Sequence, residues 1–163
     1  MSNKFSAGWE RPDNDMSFRD PTRERNDKGK VCFITLGYVN SPHQDPTQIP
    51  MVPFALNDAE GTIEILEEYV EGIEKLEKFK YIYVVYHLHR PIKAQLKVKP
   101  PFQNEEYGVF ATRFNCRPNS LATSILELVK IEGNVLHVRG MDMIDGEAVL
   151  DIKPYSEDFD KVP

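Results

Sequence analysis

The polar residues of this chain gather in three places where their types and spacing suit chemistry. The densest is Thr112-Arg113-Phe114-Asn115-Cys116-Arg117-Pro118-Asn119-Ser120. Two arginines four apart, set among asparagines and a proline, make a donor-rich surface, and loops held by a rigid scaffold are where binding residues concentrate. Arg113 is expected at the end of an apolar strand, aiming its five fixed donors at a carboxylate or an electron-rich ligand edge. The same arginines would serve equally well to tie down neighbouring carbonyls. Cys116 lies between two cations that favour a thiolate, but no general-base partner stands beside it.

His87-x-His89 ends a strongly apolar run. Period-two alternation puts both imidazoles on one face, and His-x-His is half of a common metal site. His43 and His137 stand alone without ligand spacing, so no metal is expected, and a hydrogen-bonding histidine is the simpler reading. The third constellation is Asp142-x-x-Asp145-Gly146, followed by Leu150-Asp151-Ile152-Lys153-Pro154-Tyr155. Carboxylates at a turn can accept from ribose hydroxyls or a ligand amine, although Asp-Gly is also ordinary turn chemistry.

Charge is uneven. The 163 residues carry a formal net charge of −6. Yet residues 78–126 hold eight Lys and Arg against Glu105 and Glu106, a net of +6, which leaves −12 for the rest. A basic middle in an acidic chain is what a phosphate-contacting face looks like; the plain alternative is a solvated rim balancing acidic neighbours. The longest unbroken apolar stretch, Tyr81–Tyr86, is far short of the roughly 18 residues of a membrane helix. No apolar segment follows the N-terminus to suggest a secretory signal. Two cysteines, Cys32 and Cys116, make no disulfide framework, so a reduced cytoplasmic setting is expected.

Positioning these groups falls to short strands. Residues 1–30 contain no Val, Ile or Leu, cannot bury enough apolar surface to offset their ordering entropy, and are read as a flexible, disordered tail with Phe5, Trp9 and Phe18 as isolated anchors. Residues 31–163 form the folded domain. Strands are expected at Val31–Val39, Gly61–Leu66, Phe79–Leu88, Tyr107–Ala111, Ser124–Ile131, Val135–Val138 and Ala148–Ile152. Gly133-Asn134 and Asp145-Gly146 punctuate these runs, and Asp145-Gly146 between two apolar runs is read as a hairpin turn. Tyr69, Val70, Ile73 and Leu76 recur at helical spacing, with Gly72 making that helix short or irregular. These elements read as mainly β: a small antiparallel β-barrel or a strongly curved antiparallel sheet, with one short helix.

Several of these runs carry a resemblance. Gly108-Val-Phe-Ala-Thr-Arg113, Arg117-Pro-Asn119, Asp145-Gly146 and Val149-Leu-Asp-Ile-Lys-Pro-Tyr155 resemble the TsaA-like family. So do Leu36–Pro42, Gly61–Leu66 and Phe79–His89 upstream. The best-known members of that family are the bacterial tRNA threonylcarbamoyladenosine methyltransferases (TrmO). The resemblance implies a dimeric β-barrel enzyme that binds S-adenosyl-L-methionine without a Rossmann sheet. It implies methylation of the exocyclic nitrogen of threonylcarbamoyl-modified adenosine beside the tRNA anticodon. Carried over by motif, cofactor contacts fall on Pro50, Met51, Val52, His89, Arg90, Arg113, Thr123, Asp145, Gly146, Glu147 and Ala148. Arg117, Asn119, Lys153 and Tyr155 would face the tRNA, and Asp142 or Asp145 would take the departing proton. This chain departs from the family pattern at Pro50-Met51-Val52, Phe114-Asn115-Cys116 and Glu147-Ala148. Two alternatives follow from those departures: a non-catalytic barrel binding the cofactor or another nucleotide, and a methyltransferase for a different small acceptor.

Overall fold

A computed structural model describes residues 32–50, 57–90, 92–100 and 104–162. The expected tail, and the cofactor candidates Met51 and Val52, lie outside the described residues. The unit considered below is Ile34–Pro163.

Its strands are β1 (Gly37–Asn40), β2 (Glu60–Ile65), β3 (Tyr81–His87), β4 (Lys97–Val98), β5 (Tyr107–Gly108), β6 (Leu121–Glu132), β7 (Val135–Arg139) and β8 (Ala148–Pro154). Six of them close an antiparallel barrel in the order β1-β2-β7-β6-β3-β8, and β4 pairs with β5 in a separate small sheet. Strict alternation builds the barrel: Ile82, Val84 and Tyr86 of β3 point inward, as do Ser124, Leu126 and Leu128 of β6. Register shifts at Val85/Tyr86 and Leu128/Lys130 bend the β3–β8 and β6–β7 ladders, the usual role of an extra unpaired residue in a closing sheet.

Four sequence expectations are corrected. The first strand is confined to Gly37–Asn40, because Gly37 stands opposite Ile65, the last residue of β2, and the Leu66 N–H to Leu36 carbonyl bond closes the ladder there. The helix expected around Tyr69–Leu76 is two 3₁₀ segments, Glu67–Ile73 and Leu76–Lys78, separated by Lys75 at φ 68°. Its apolar side still faces the core, with Ile73 buried and Tyr69, Val70 and Leu76 packed against it. The one α-helix among the described residues is instead α1 (Glu157–Asp160).

The strand expected over Tyr107–Ala111 lasts two residues and turns into a 3₁₀ segment, Val109–Ala111. That turn drops Val109 into a second small core with Val98, Cys116 and Phe114. Arg113 therefore sits on a loop, not at a strand end. Finally, Asp145-Gly146 is a turn, with Gly146 at φ 79°, but it does not make a hairpin. β7 pairs with β2 and β6, while β8 pairs with β1 and β3. Gly133-Asn134 does close a hairpin, between β6 and β7.

The alternating direction of neighbouring strands places the β1–β2, β3–β6 and β7–β8 connections at one end of the barrel. The 66–80 connection, the β6–β7 hairpin and α1 lie at the other.

Candidate active site at the barrel mouth

The three long connections are sewn together by polar contacts. The Ser41 amide donates to Asp145 Oδ1 at 2.9 Å, and the Ser41 hydroxyl donates to the Met143 carbonyl at 2.7 Å. Main-chain bonds from Asp145 N to the His43 carbonyl and from Gly146 N to the Val39 carbonyl, both 2.8 Å, complete the seam. His43 Nε2 lies 3.1 Å from the Met141 carbonyl; a carbonyl can only accept, so that nitrogen carries the proton. Arg90 donates to the Gln44 carbonyl at 2.8 Å, and the Leu88 amide donates to the Ser120 carbonyl at 2.8 Å.

Beneath this rim a polar cluster enters the barrel. Tyr86 Oη and Ser124 Oγ are 3.2 Å apart and both residues are buried. Glu147 is 1% exposed, and its Oε2 accepts from the Ile144 amide at 3.2 Å. Burial, with Asp142 adding like charge, lifts the Glu147 carboxyl to about 7. Burial likewise raises Asp142, opposed by the Ser124 hydroxyl, its own amide, and the charges of His43 and Arg113. Asp142 Oδ1 is buried without a hydrogen-bond partner, which is costly unless some donor or cation reaches it. Burial and then Asp142 push the Tyr86 hydroxyl upward too. His89 is held below its ordinary value by partial burial, then by Arg90 and His87, against the pull of Asp145.

Of the sequence-derived candidates, Pro50, His89, Arg90, Arg113, Arg117, Asn119, Thr123, Asp142 and Asp145–Ala148 lie in the mouth connections or the strand ends that carry them. Arg113 is exposed, yet its charge reaches Asp142. Thr123 points to the outer face, opposite Val85 and one residue before the inward Ser124. Glu147 turns inward, and only its backbone follows the rim. Arg117 is a clasp: one guanidinium nitrogen donates to the Val109 and Thr112 carbonyls at 3.1 and 3.0 Å. Cys116 is buried among apolar neighbours, where a thiol behaves as a small hydrophobe, so the nucleophile reading loses its support.

Lys153 and Tyr155 are not brought to the mouth. Lys153 lies near the end of β8 and Tyr155 just beyond it, five and seven residues from Ala148 and so about 17 and about 23 Å away along an extended strand. Lys153 pairs with Asp151, and the Tyr155 ring packs on Tyr81 and Tyr83. A shallow concavity of about 230 Å³ between Ile73, Leu76, Phe79 and Ile152 also lies at that far end, remote from the charges just described. Sequence reasoning gave no weight to Tyr86, Ser124 or Ser41. Only the inward phase of β3 and β6 would have pointed to the first two. Among the described residues no three His, Cys, Asp or Glu side chains group as a metal site, and no helix is long and apolar enough to cross a membrane.

The mouth therefore offers arginine donors beside carboxylate acceptors. That suits a ligand carrying both charges, such as S-adenosyl-L-methionine: its carboxylate matches a guanidinium, and its sulfonium or ammonium matches an unpartnered acceptor such as Asp142 Oδ1.

Comparison with known proteins agrees. The profile of the family described as tRNA-methyltransferase O N-terminal domain matches residues 38–161. A probable S-adenosyl-L-methionine-binding protein of Pyrococcus abyssi is 41% identical over 130 residues, covering 80% of this chain and 71% of that protein. A mouse tRNA (adenine(37)-N6)-methyltransferase is 32% identical over 139 residues, 81% of this chain but 32% of the mouse protein. A crystal structure of TrmO superposes with a TM-score of 0.69 at 36% identity, covering 82% of this chain and 61% of that one. The chain thus spans about three fifths of the solved TrmO chain and a third of the mouse enzyme.

Proposed function

The chain belongs to the tRNA-methyltransferase O N-terminal domain family, and on that premise we propose that it is an S-adenosyl-L-methionine-dependent methyltransferase acting on tRNA. The acceptor we infer is the exocyclic nitrogen of an adenosine next to the anticodon, in its threonylcarbamoyl-modified form. The observation that carries the reading is Asp142, whose buried Oδ1 has no partner while Arg113 stands close enough to lower its pKa.

When bound, the cofactor supplies an electrophilic methyl group on a sulfonium. The protein's share is alignment and proton handling. Arg113 and Arg90 would hold the cofactor's carboxylate end, which would align the methyl group for displacement. Asp145 is already engaged by the Ser41 amide and keeps the rim in place. The threonylcarbamoyl-modified exocyclic nitrogen bears a single N–H and is barely basic; once its lone pair has formed the new C–N bond it carries positive charge and loses that one proton. Asp142, raised by burial, is the acceptor best matched to that late proton. His89, held below its ordinary pKa, is neutral above pH 7 and adds no charge that would repel a sulfonium.

We also propose a cytoplasmic homodimer, the assembly and setting expected from the family resemblance, with the partly exposed outer row of β3 as a candidate contact face. Calorimetry with S-adenosyl-L-methionine, paired with a turnover assay on tRNA, tests the proposal. Binding with turnover is expected. Binding without turnover would favour the non-catalytic barrel, a reading suggested by Glu147 turning its side chain away from the rim. Turnover on a small acceptor but not on tRNA would favour the other alternative.

A further inference from the structure

The lobe carrying β4 and β5 exposes apolar side chains that the mouth chemistry leaves unused. Phe110 is 74% exposed, Leu96 70% and Ile92 53%. They belong to one folded piece: the Val109 amide donates to the Leu96 carbonyl at 3.0 Å, and Gln95 N donates to the Cys116 carbonyl at 3.0 Å. Its small core of Val98, Val109 and Cys116 is complete without them, so leaving a phenyl ring in water serves no packing purpose.

The ring is also held. It occupies the middle of the Val109–Ala111 turn, which Thr112 and Arg117 close through the Val109 carbonyl. The Arg117 guanidinium sits 5.7 Å from its centroid, within cation–π range. A ring fixed on a short turn, backed by arginine and mostly open to solvent, is a ready stacking platform. Around it the charge is strongly one-sided: residues 88–120 contain Arg90, Lys93, Lys97, Lys99, Arg113 and Arg117 against Glu105 and Glu106. A twofold contact with a second copy through this patch would oppose like charges, because the same surface meets itself. A polyanion with flat apolar faces meets both requirements.

We propose that the β4–β5 lobe is a docking surface for single-stranded RNA, with Phe110 stacking on an unpaired base and the surrounding lysines and arginines following the phosphates. The inference rests on tRNA being the acceptor, and it assigns the loop-gripping role to a residue outside the cofactor-binding set. Arg117 then supports the platform as well as closing the turn.

The test uses the full chain and a synthetic anticodon stem-loop RNA with an unpaired adenosine 3′ of the anticodon, with affinity followed by fluorescence anisotropy. Phe110→Ala and Phe110→Leu should each weaken RNA binding by about 5- to 100-fold, the range for loss of one base–aromatic stack. Phe110→Trp should stay within about twofold of the parent, since it keeps a π face. Lys97→Ala should flatten the salt dependence by about one phosphate. Affinity for S-adenosyl-L-methionine, melting temperature and sedimentation should stay the same in the Phe110 variants. Leucine binding RNA as well as phenylalanine would overturn stacking in favour of simple apolar contact. A fall in oligomeric state with Phe110→Ala would make the patch a protein interface instead. No RNA binding by the parent protein would sink the tRNA reading itself, whereas intact parent binding indifferent to Phe110 would sink this inference alone.

Discussion

Glutamine in place of Glu147 removes the charge of the most deeply buried carboxylate while keeping its volume and an acceptor oxygen for the Ile144 amide. The carboxyl titrates at about 7 in the fold and near 4.5 when free. Below pH 4.5 it is protonated in both states, and its titration costs the fold nothing. As pH rises, the unfolded chain releases the proton first, so stability is lost progressively up to about pH 7 and is level above it. The full loss corresponds to about 3 kcal/mol. Part of it belongs to Asp142, which raises Glu147 and would itself relax once the neighbouring charge is gone. Urea denaturation of both proteins from pH 4.5 to pH 8 reads the effect. Glu147→Gln should have nearly parental stability at the acid end and gain up to that amount by pH 7.5. Parallel stability curves for the two proteins would refute the reasoning, since they would mean Glu147 titrates as if it were in water.

Arg113→Lys should weaken S-adenosyl-L-methionine binding by about 1–3 kcal/mol in calorimetry with little change in melting temperature, because the side chain is exposed; unfolding with unchanged affinity per folded molecule would make it a structural clasp. Arg117→Ala leaves the Val109 and Thr112 carbonyls without their shared donor and should cost about 1–3 kcal/mol, with hydrogen exchange quickening first at the Gln95 and Val109 amides; uniform loss of protection across the barrel would contradict a local role. Gly37→Ala places a Cβ 2.3 Å from the Glu64 carbonyl oxygen, a backbone atom of the paired strand, and should destabilise by about 1–3 kcal/mol in thermal melts; an unchanged melt would show that β1 and β2 separate easily.

Alternation made most barrel strands legible, since β2, β3, β6 and β7 each bury every second residue along at least part of their length. Pairing order was less legible, because Asp145-Gly146 sends the same local signal whether the flanking strands pair or, as here, close different parts of a barrel. The 3₁₀ run over Glu67–Ile73 kept the apolar side that Tyr69, Val70, Ile73 and Leu76 implied, while Gly72 and Lys75 denied it an α-helix. Within the site, motif order brought Arg113, Asp142 and Asp145 to one end, but it could not reveal that Glu147 turns inward. Nor could it show that Lys153 and Tyr155 ride the far end of β8, since sequence proximity to a turn says nothing of strand length beyond it. Tyr86 and Ser124 read as core strand positions, and their meeting 3.2 Å apart depends on the β3–β6 register.

Methyl transfer to adenosine is tested most directly by incubating the protein with isotope-labelled S-adenosyl-L-methionine and tRNA, then digesting the tRNA to nucleosides for mass spectrometry. The label is expected as a single methyl group on the exocyclic nitrogen of a threonylcarbamoyl-modified adenosine, and to vanish with Asp142→Ala even at saturating cofactor. Unlabelled tRNA alongside clear binding of the cofactor, or label on another nucleoside, would contradict the assignment.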